Sequence, residues 1–133
     1  MRQQLERALL GALILNANAD ARQLGLDADD FLTSNAKTTF RALCELKAGD
    51  MTMDAMIVMA RCKSMDKSYD QMYCSDCISS TTSSENYMAY SRNLKQAIYD
   101  EKIIELKRHA SNMMNDTKDL PSVFEAVTAQ EIE

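Results

Sequence analysis

One proline and three glycines are the only strong helix breakers in 133 residues, and that scarcity constrains this chain more than any other feature. Proline removes a backbone donor and clashes with the preceding turn, glycine costs about 1 kcal/mol in a helix interior, and turns draw heavily on both. A chain so poor in them spends most of its length in helices. Aromatic residues make up 6% with no Trp, whereas Met numbers ten, so Leu, Ile, Ala and the flexible Met must fill the core. A β-sandwich would need more Val, Thr and Tyr. With 46% apolar and 26% charged residues, the composition is that of one folded all-α domain, neither disordered nor too short for a core.

Apolar spacing divides the chain into helices. Leu5, Leu9, Ala12 and Leu13 form one stripe, and Leu10 and Ile14 widen it until most of the first helix is apolar, which predicts a helix enclosed by others. After Asn16, Asn18 and Asp20, a connector carries Leu24, Leu26 and the Asp29-Asp30-Phe31 step, which anchors one aromatic. Ser34 or Asn35 is expected to cap the next helix, with Phe40, Leu43, Cys44 and Leu46 buried, Thr39 at the edge and Gly49 as the stop. Thr52 or Asp54 caps a short helix bearing Met56, Ile57, Met59 and Ala60 that ends near Lys63, and Tyr69, Met72, Tyr73, Cys77 and Ile78 fit another, closing at the Ser79–Ser84 loop. From Glu85 to about Met114 nothing interrupts the pattern, so one long helix is predicted. Its apolar face changes phase: Tyr87, Tyr90, Leu94 and Ile98 lie on one side, and Tyr99, Ile103, Leu106, Ala110 and Met113 form a second stripe at heptad-like spacing, about 140° round the axis. A turn at Asn115–Asp119 and a helix opening at Pro121, with Val123, Phe124 and Val127 on its apolar side, would complete a hairpin. The expected organisation is a small helical globule over residues 1–82 and a helical hairpin over 83–133, whose outer side needs a neighbour to cover it.

Chemistry is sparse. Fifteen basic against twenty acidic residues leave a net charge of −5, which disfavours a grip on nucleic acid and favours protein partners. Cys74-x-x-Cys77 has precedent in zinc sites and redox dithiols, but no second close pair and no βαβ context accompany it, so Cys77 is expected to pack inward with Cys74 nearer the surface. His109, the single histidine, lies beside Lys107 and Arg108 near the end of the long helix, where a cation suits the helix dipole and no nucleophile motif awaits it. Asp29-Asp30 reads as a helix start and not a cation site. The methionines between Met51 and Met72 read as core filling, with an adaptable binding face as the alternative. No glycine-rich phosphate loop is present. Ala8–Leu15, preceded by Arg2 and Arg7 and followed by Ala17-Asn18-Ala19, imitates a secretory leader, but Glu6 stands in its basic segment and the run falls far below the roughly 20 residues of a membrane span. A cytoplasmic protein with four reduced thiols is expected.

Taken in order, the residues bring up a family. Glu6, Leu9-Leu10-Gly11 and the apolar run Ala12–Leu15, then Asp30-Phe31, then Phe40, Ala42 and Leu43, then Gly49 and Asp54, then Ser83-Ser84, Asn86 and Tyr90, together resemble the N-terminal domain of bacterial and phage replicative DNA helicases of the DnaB type. The chain departs from the family pattern at Ala36, where a His is frequent, and at Glu101-Lys102, where an Arg is frequent, as a divergent phage or prophage member would. The resemblance implies a helical globule and a hairpin that pairs with a neighbour's, forming a dimer in isolation and a collar on a hexameric ring. Primase, and a helicase loader, would dock there. It implies no catalytic, metal or cofactor residue in this domain, with ATP and Mg²⁺ confined to a motor domain C-terminal to it, and no direct contact with nucleic acid or membrane. On this reading the interface residues are Tyr99, Ile103, Leu106, Ala110, Met113, Val123, Phe124 and Val127. The alternatives are the helicase-binding domain of a primase, a small secreted or redox-active helical protein, and a zinc-binding regulator.

Overall fold

A computed structural model describes residues 2–51 and 53–116. Five α-helices account for most of them: α1 (Arg2–Leu15), α2 (Ser34–Ala48), α3 (Ala55–Met65), α4 (Gln71–Ser80) and α5 (Tyr87–Asp116), with single 3-10 turns at Ala21–Gln23, Ala28–Asp30 and Ser84–Asn86. No strand occurs among the described residues, so the chain is all-α as its composition demands. The first compact unit ends at Lys95, inside α5, and the second begins at Gln96. Residue 82, the expected limit of the globule, lies in the loop leading to α5.

The first unit is built round α1. Every residue from Ala8 to Ile14 is buried, which is possible only for a helix covered on all sides, as its apolar run predicts. Its most extensive contact is with α4. Gly11 makes that contact close: a Cβ added there would overlap the Cys77 carbonyl oxygen and the Thr81 hydroxyl, and would sit 2.6 Å from the Cys77 carbonyl carbon. Thr81 Oγ1 lies 2.9 Å from the Ala8 carbonyl oxygen and 3.0 Å from that of Cys77, so its single proton can serve the end of α4 or the side of α1. The backbones touch where a side chain would otherwise separate them.

A buried carboxylate fastens the connector to α1. Glu6 is 1% exposed, and its two oxygens accept the Leu32 N–H at 3.1 and 3.3 Å while facing Arg2 Nε at 3.2 Å. Arg2 in turn donates to the Asp30 carbonyl, and Lys37 Nζ donates to the carbonyls of Phe31, at 2.6 Å, and Asp29, at 3.2 Å. Phe31 is thereby pinned into the core, with its ring 4.9 Å from that of Phe40. Burial raises the Glu6 carboxyl above its ordinary value, and the Leu32 N–H, Arg2 and Lys37 offset only part of the rise.

Several local expectations need correction. Thr33, not Ser34 or Asn35, caps α2, its hydroxyl accepting the Ala36 N–H at 3.1 Å. Gly49 does end α2, but with φ −84; the left-handed residue is Asp50, at φ 52. Thr39 is fully buried and not at the edge, because its hydroxyl donates to the Asn35 carbonyl at 2.7 Å and also meets the Tyr69 hydroxyl at 2.8 Å, which satisfies both groups. Asp54 caps α3 by accepting the Ile57 N–H at 2.9 Å, while the alternative, Thr52, lies outside the described residues. The helix runs past Lys63 to Met65 and buries Val58 and Cys62, leaving Met56 77% exposed. The predicted turn at Asn115–Asp119 begins too early, since α5 runs on through Asp116; the rest of that turn and the helix opening at Pro121 lie outside the described residues.

Gly11→Ala is expected to force α1 and α4 apart and to cost about 1–3 kcal/mol, read as a lower urea midpoint with helical content retained. For Glu6 the folded pKa is raised, so the protonated form favours the fold; that contribution is complete below the ordinary value of 4.5 and is lost as pH rises through the folded value. Wild type should therefore gain stability over Glu6→Gln as pH falls from neutrality to 4.5, measured by paired urea titrations.

Candidate protein interface

Propensity alone allows α5 to run for 30 residues, since Leu, Lys, Arg, Glu, Gln, Ala and Met make up just over half of it and neither Gly nor Pro interrupts it. Its proximal part serves the first unit: Ser91 and Leu94 are buried, and the Tyr90 hydroxyl meets Thr82 Oγ1 at 3.2 Å and accepts the Ser83 N–H at 3.4 Å, fastening the loop. Asn16 Nδ2 donates to the Ser84 carbonyl at 3.1 Å and ties the same loop to the end of α1.

The distal part is different in kind. Of the predicted stripe, Ala110 is buried, Ile103 and Leu106 are half-buried, and Tyr99 and Met113 are exposed, Tyr99 at 59%. Val123, Phe124 and Val127 lie outside the described residues. Ile104, which the heptad-like stripe passes over, is 56% exposed. Tyr99, Asp100, Ile103, Ile104 and Lys107 line an open groove of about 570 Å³. Asp100 accepts a hydrogen bond from Gln96 Nε2 at 2.9 Å, and Glu105 pairs with Arg108 at 3.6 Å. An apolar strip bordered by charge suits docking against protein. The adjacent Ile103-Ile104 pair was the signal for the groove: a single stripe accounts for only one of two consecutive isoleucines, and the second widens the apolar face.

The remaining candidates resolve into structure. Cys62, Cys74 and Cys77 are all fully buried, which corrects the expectation for Cys74, and Cys44 is half-buried. The α4 face that carries Cys74 and Cys77 is its packing face: Cys74 Sγ approaches the Ala55 carbonyl at 3.9 Å, and Cys77 lies under Gly11. Burial pushes the thiols up, to about 11 for Cys74 and about 12 for Cys77. Among the described residues no cluster of three or more His, Cys, Asp or Glu could hold a metal ion. His109 is exposed and lies short of the last turn of α5. Met51, Met56 and Met72 are exposed, at 52%, 77% and 64%, so core filling does not describe them; Val58, Cys62, Cys74 and Cys77 occupy the inward faces of α3 and α4 instead. Asp29-Asp30 falls in the 3-10 turn at Ala28–Asp30, where Asp30 accepts the Asp27 N–H at 2.8 Å. No described helix is long and apolar enough to cross a membrane.

A model of the family described as the DnaB-like helicase N-terminal domain matches residues 1–96. The chain belongs to this family. The match covers nearly the same residues as the first compact unit. The crystal structure of the N-terminal domain of DnaB helicase from Mycobacterium tuberculosis superposes with a TM-score of 0.77 at 17% identity, covering 98% of this chain and 96% of that one, and so has the same fold. No curated protein sequence matches the chain. The domain is thus the N-terminal, non-catalytic part of a replicative helicase of the DnaB type, and the family model favours the helicase over the primase side of that partnership. The family landmarks acquire physical roles: Glu6 clamps the connector, Gly11 permits the α1–α4 contact, Leu10, Phe31 and Phe40 fill the core, Asp54 caps α3 and Tyr90 holds the loop before α5. Asp30 contributes its carbonyl to Arg2 and its carboxylate to Asp27, while Asn86 closes the 3-10 turn with its N–H on the Ser83 carbonyl at 3.2 Å.

In the native protein a disulfide-exchange reagent should titrate Cys44 alone on a timescale of minutes, with all four thiols reacting in denaturant; fast reaction of Cys74 or Cys77 would contradict the packing described.

Proposed function

We propose that this DnaB-type N-terminal domain is an assembly and partner-binding module in DNA replication. It self-associates through the α5 region, and primase and the helicase loader dock on the assembled collar, while ATP and Mg²⁺ are handled outside these residues. The observation that carries the reading is the exposed apolar face of distal α5, where Tyr99 and Ile104 stand 59% and 56% exposed. Burying such a side chain contributes roughly 1.5–3 kcal/mol, so a few of them suffice to hold two copies together. The net charge of −5 points the same way, toward protein and not toward a phosphate backbone.

Ile103→Asp combined with Phe124→Asp should lower the sedimenting mass to that of one chain while circular dichroism stays helical, and should weaken capture of primase by the assembled form. An unchanged mass together with native stability would overturn self-association through this region. Normal primase capture by the single-chain form would place that partner elsewhere.

A further inference from the structure

Asp50 occupies a position that the local chain does not favour. The end of α2 is a Schellman motif, in which the Met51 N–H returns to the Leu46 carbonyl at 3.0 Å and the Asp50 N–H to the Lys47 carbonyl at 3.1 Å. The residue after the cap in such a motif is left-handed, and glycine is its usual occupant because it has no Cβ to strain. Here Gly49 stands one position early, at φ −84, and Asp50 takes the left-handed place at φ 52. The negative end of the α2 dipole also opposes a carboxylate there. Asp50 is exposed and makes no ion pair with any described residue. Nothing in the fold of α2 accounts for an aspartate at this point.

The space beside Asp50 does account for it. A groove of about 330 Å³ is lined by Asn16, Ala17, Lys47, Asp50, Met51 and Met53, all within the first unit. Two helices end at its border, α1 at Leu15 and α2 at Ala48, and each C-terminal end is equivalent to roughly half a negative charge. Lys47 is the cation among the described lining residues, and its Nζ is committed to the Ala17 carbonyl at 2.8 Å. With Lys47 and Asp50 cancelling, the two helix ends leave the groove short of about one positive charge. The volume is at the small end for a ligand site, enough for one long side chain and too little for the face of a helix. Met51, 52% exposed, and Met53, half-buried, give it flexible apolar walls. An arginine matches each of these features: its stem lies along apolar surface, and its planar fork gives two hydrogen bonds to one carboxylate.

We infer that this groove is the docking site for an arginine side chain presented by a partner protein, with Asp50 receiving the guanidinium and Met51 and Met53 flanking the stem. The carboxylate is kept where it weakens the end of α2 because a partner uses it, a pattern of local conflict found at binding sites. The inference goes beyond the self-association proposed above and does not depend on it.

The test is a magnetic-resonance titration of the full chain carrying isotope-labelled methionine methyl groups, with Met51 and Met53 assigned through Met51→Leu and Met53→Leu. The probes are acetyl-Leu-Arg-Leu-amide and the same peptide with citrulline, the neutral isostere, in place of arginine. The arginine peptide should shift the Met51 and Met53 signals to saturation and leave those of Met56 and Met72 in place. Exchange of arginine for citrulline, or Asp50→Asn in the protein, should each weaken binding roughly tenfold. Asp50→Asn keeps the shape of the side chain and suits the left-handed backbone, so it should also raise the urea midpoint with circular dichroism unchanged. Equal binding of the citrulline peptide would mark an apolar occupant and overturn the arginine. Unmoved Met51 and Met53 signals, or an Asp50→Asn chain that binds as tightly as wild type, would overturn the site. A midpoint that fails to rise would assign the carboxylate to the fold and overturn its retention for a partner.

Discussion

The contact of α1 with α4 at Gly11 is the constraint from which the globule follows. Helix axes normally stand 8–10 Å apart because side chains intervene, and here the space for even one methyl group is taken by the Cys77 carbonyl and the Thr81 hydroxyl. That approach buries the residues flanking Gly11 on both sides, which is why α1 can be apolar nearly all round and still belong to a water-facing domain. It also explains the inward face of α4, where small cysteines stand in place of larger apolar residues. Thr81 completes the arrangement by giving its hydroxyl a partner on either helix.

Glu6 does for the connector what Gly11 does for the helices. A carboxylate in the core is costly unless it is paired and hydrogen-bonded, and Glu6 is both, through Arg2 and the Leu32 N–H. The arrangement satisfies backbone groups of an irregular segment that no helix could satisfy, and positions Phe31 against Phe40. The raised carboxyl shows that compensation is incomplete. Some stability is given up at neutral pH for a connector held in one conformation.

Distal α5 obeys a different rule. Within the globule, apolar residues are mostly covered by the chain's own helices; beyond Gln96, apolar and charged residues alternate round a helix that keeps several large apolar groups exposed. The family model matches residues 1–96, close to the limit of the first unit.

Much of this was legible in the residues. The dearth of Gly and Pro and the spacing of apolar side chains determine an all-helical chain, an enclosed α1 and an uninterrupted α5, because helix propensity and periodicity are local properties of consecutive residues. The ordered landmarks from Glu6 to Tyr90 were enough to bring up the family. The stripe from Tyr99 to Met113 marked one apolar face of α5 but not the groove beside Ile104, since periodicity locates a face and not what lies against it. The tertiary structure alone decided that Thr39 is core, that Cys74 is buried as deeply as Cys77, that Met56 and Met72 face water, and that Glu6 is a clamp. Each of these depends on which distant backbone or side chain approaches: Tyr69 for Thr39, Leu32 for Glu6, Gly11 for Cys77. Such approaches are fixed by packing in three dimensions, where residues far apart in the chain compete for the same volume and the same hydrogen bonds.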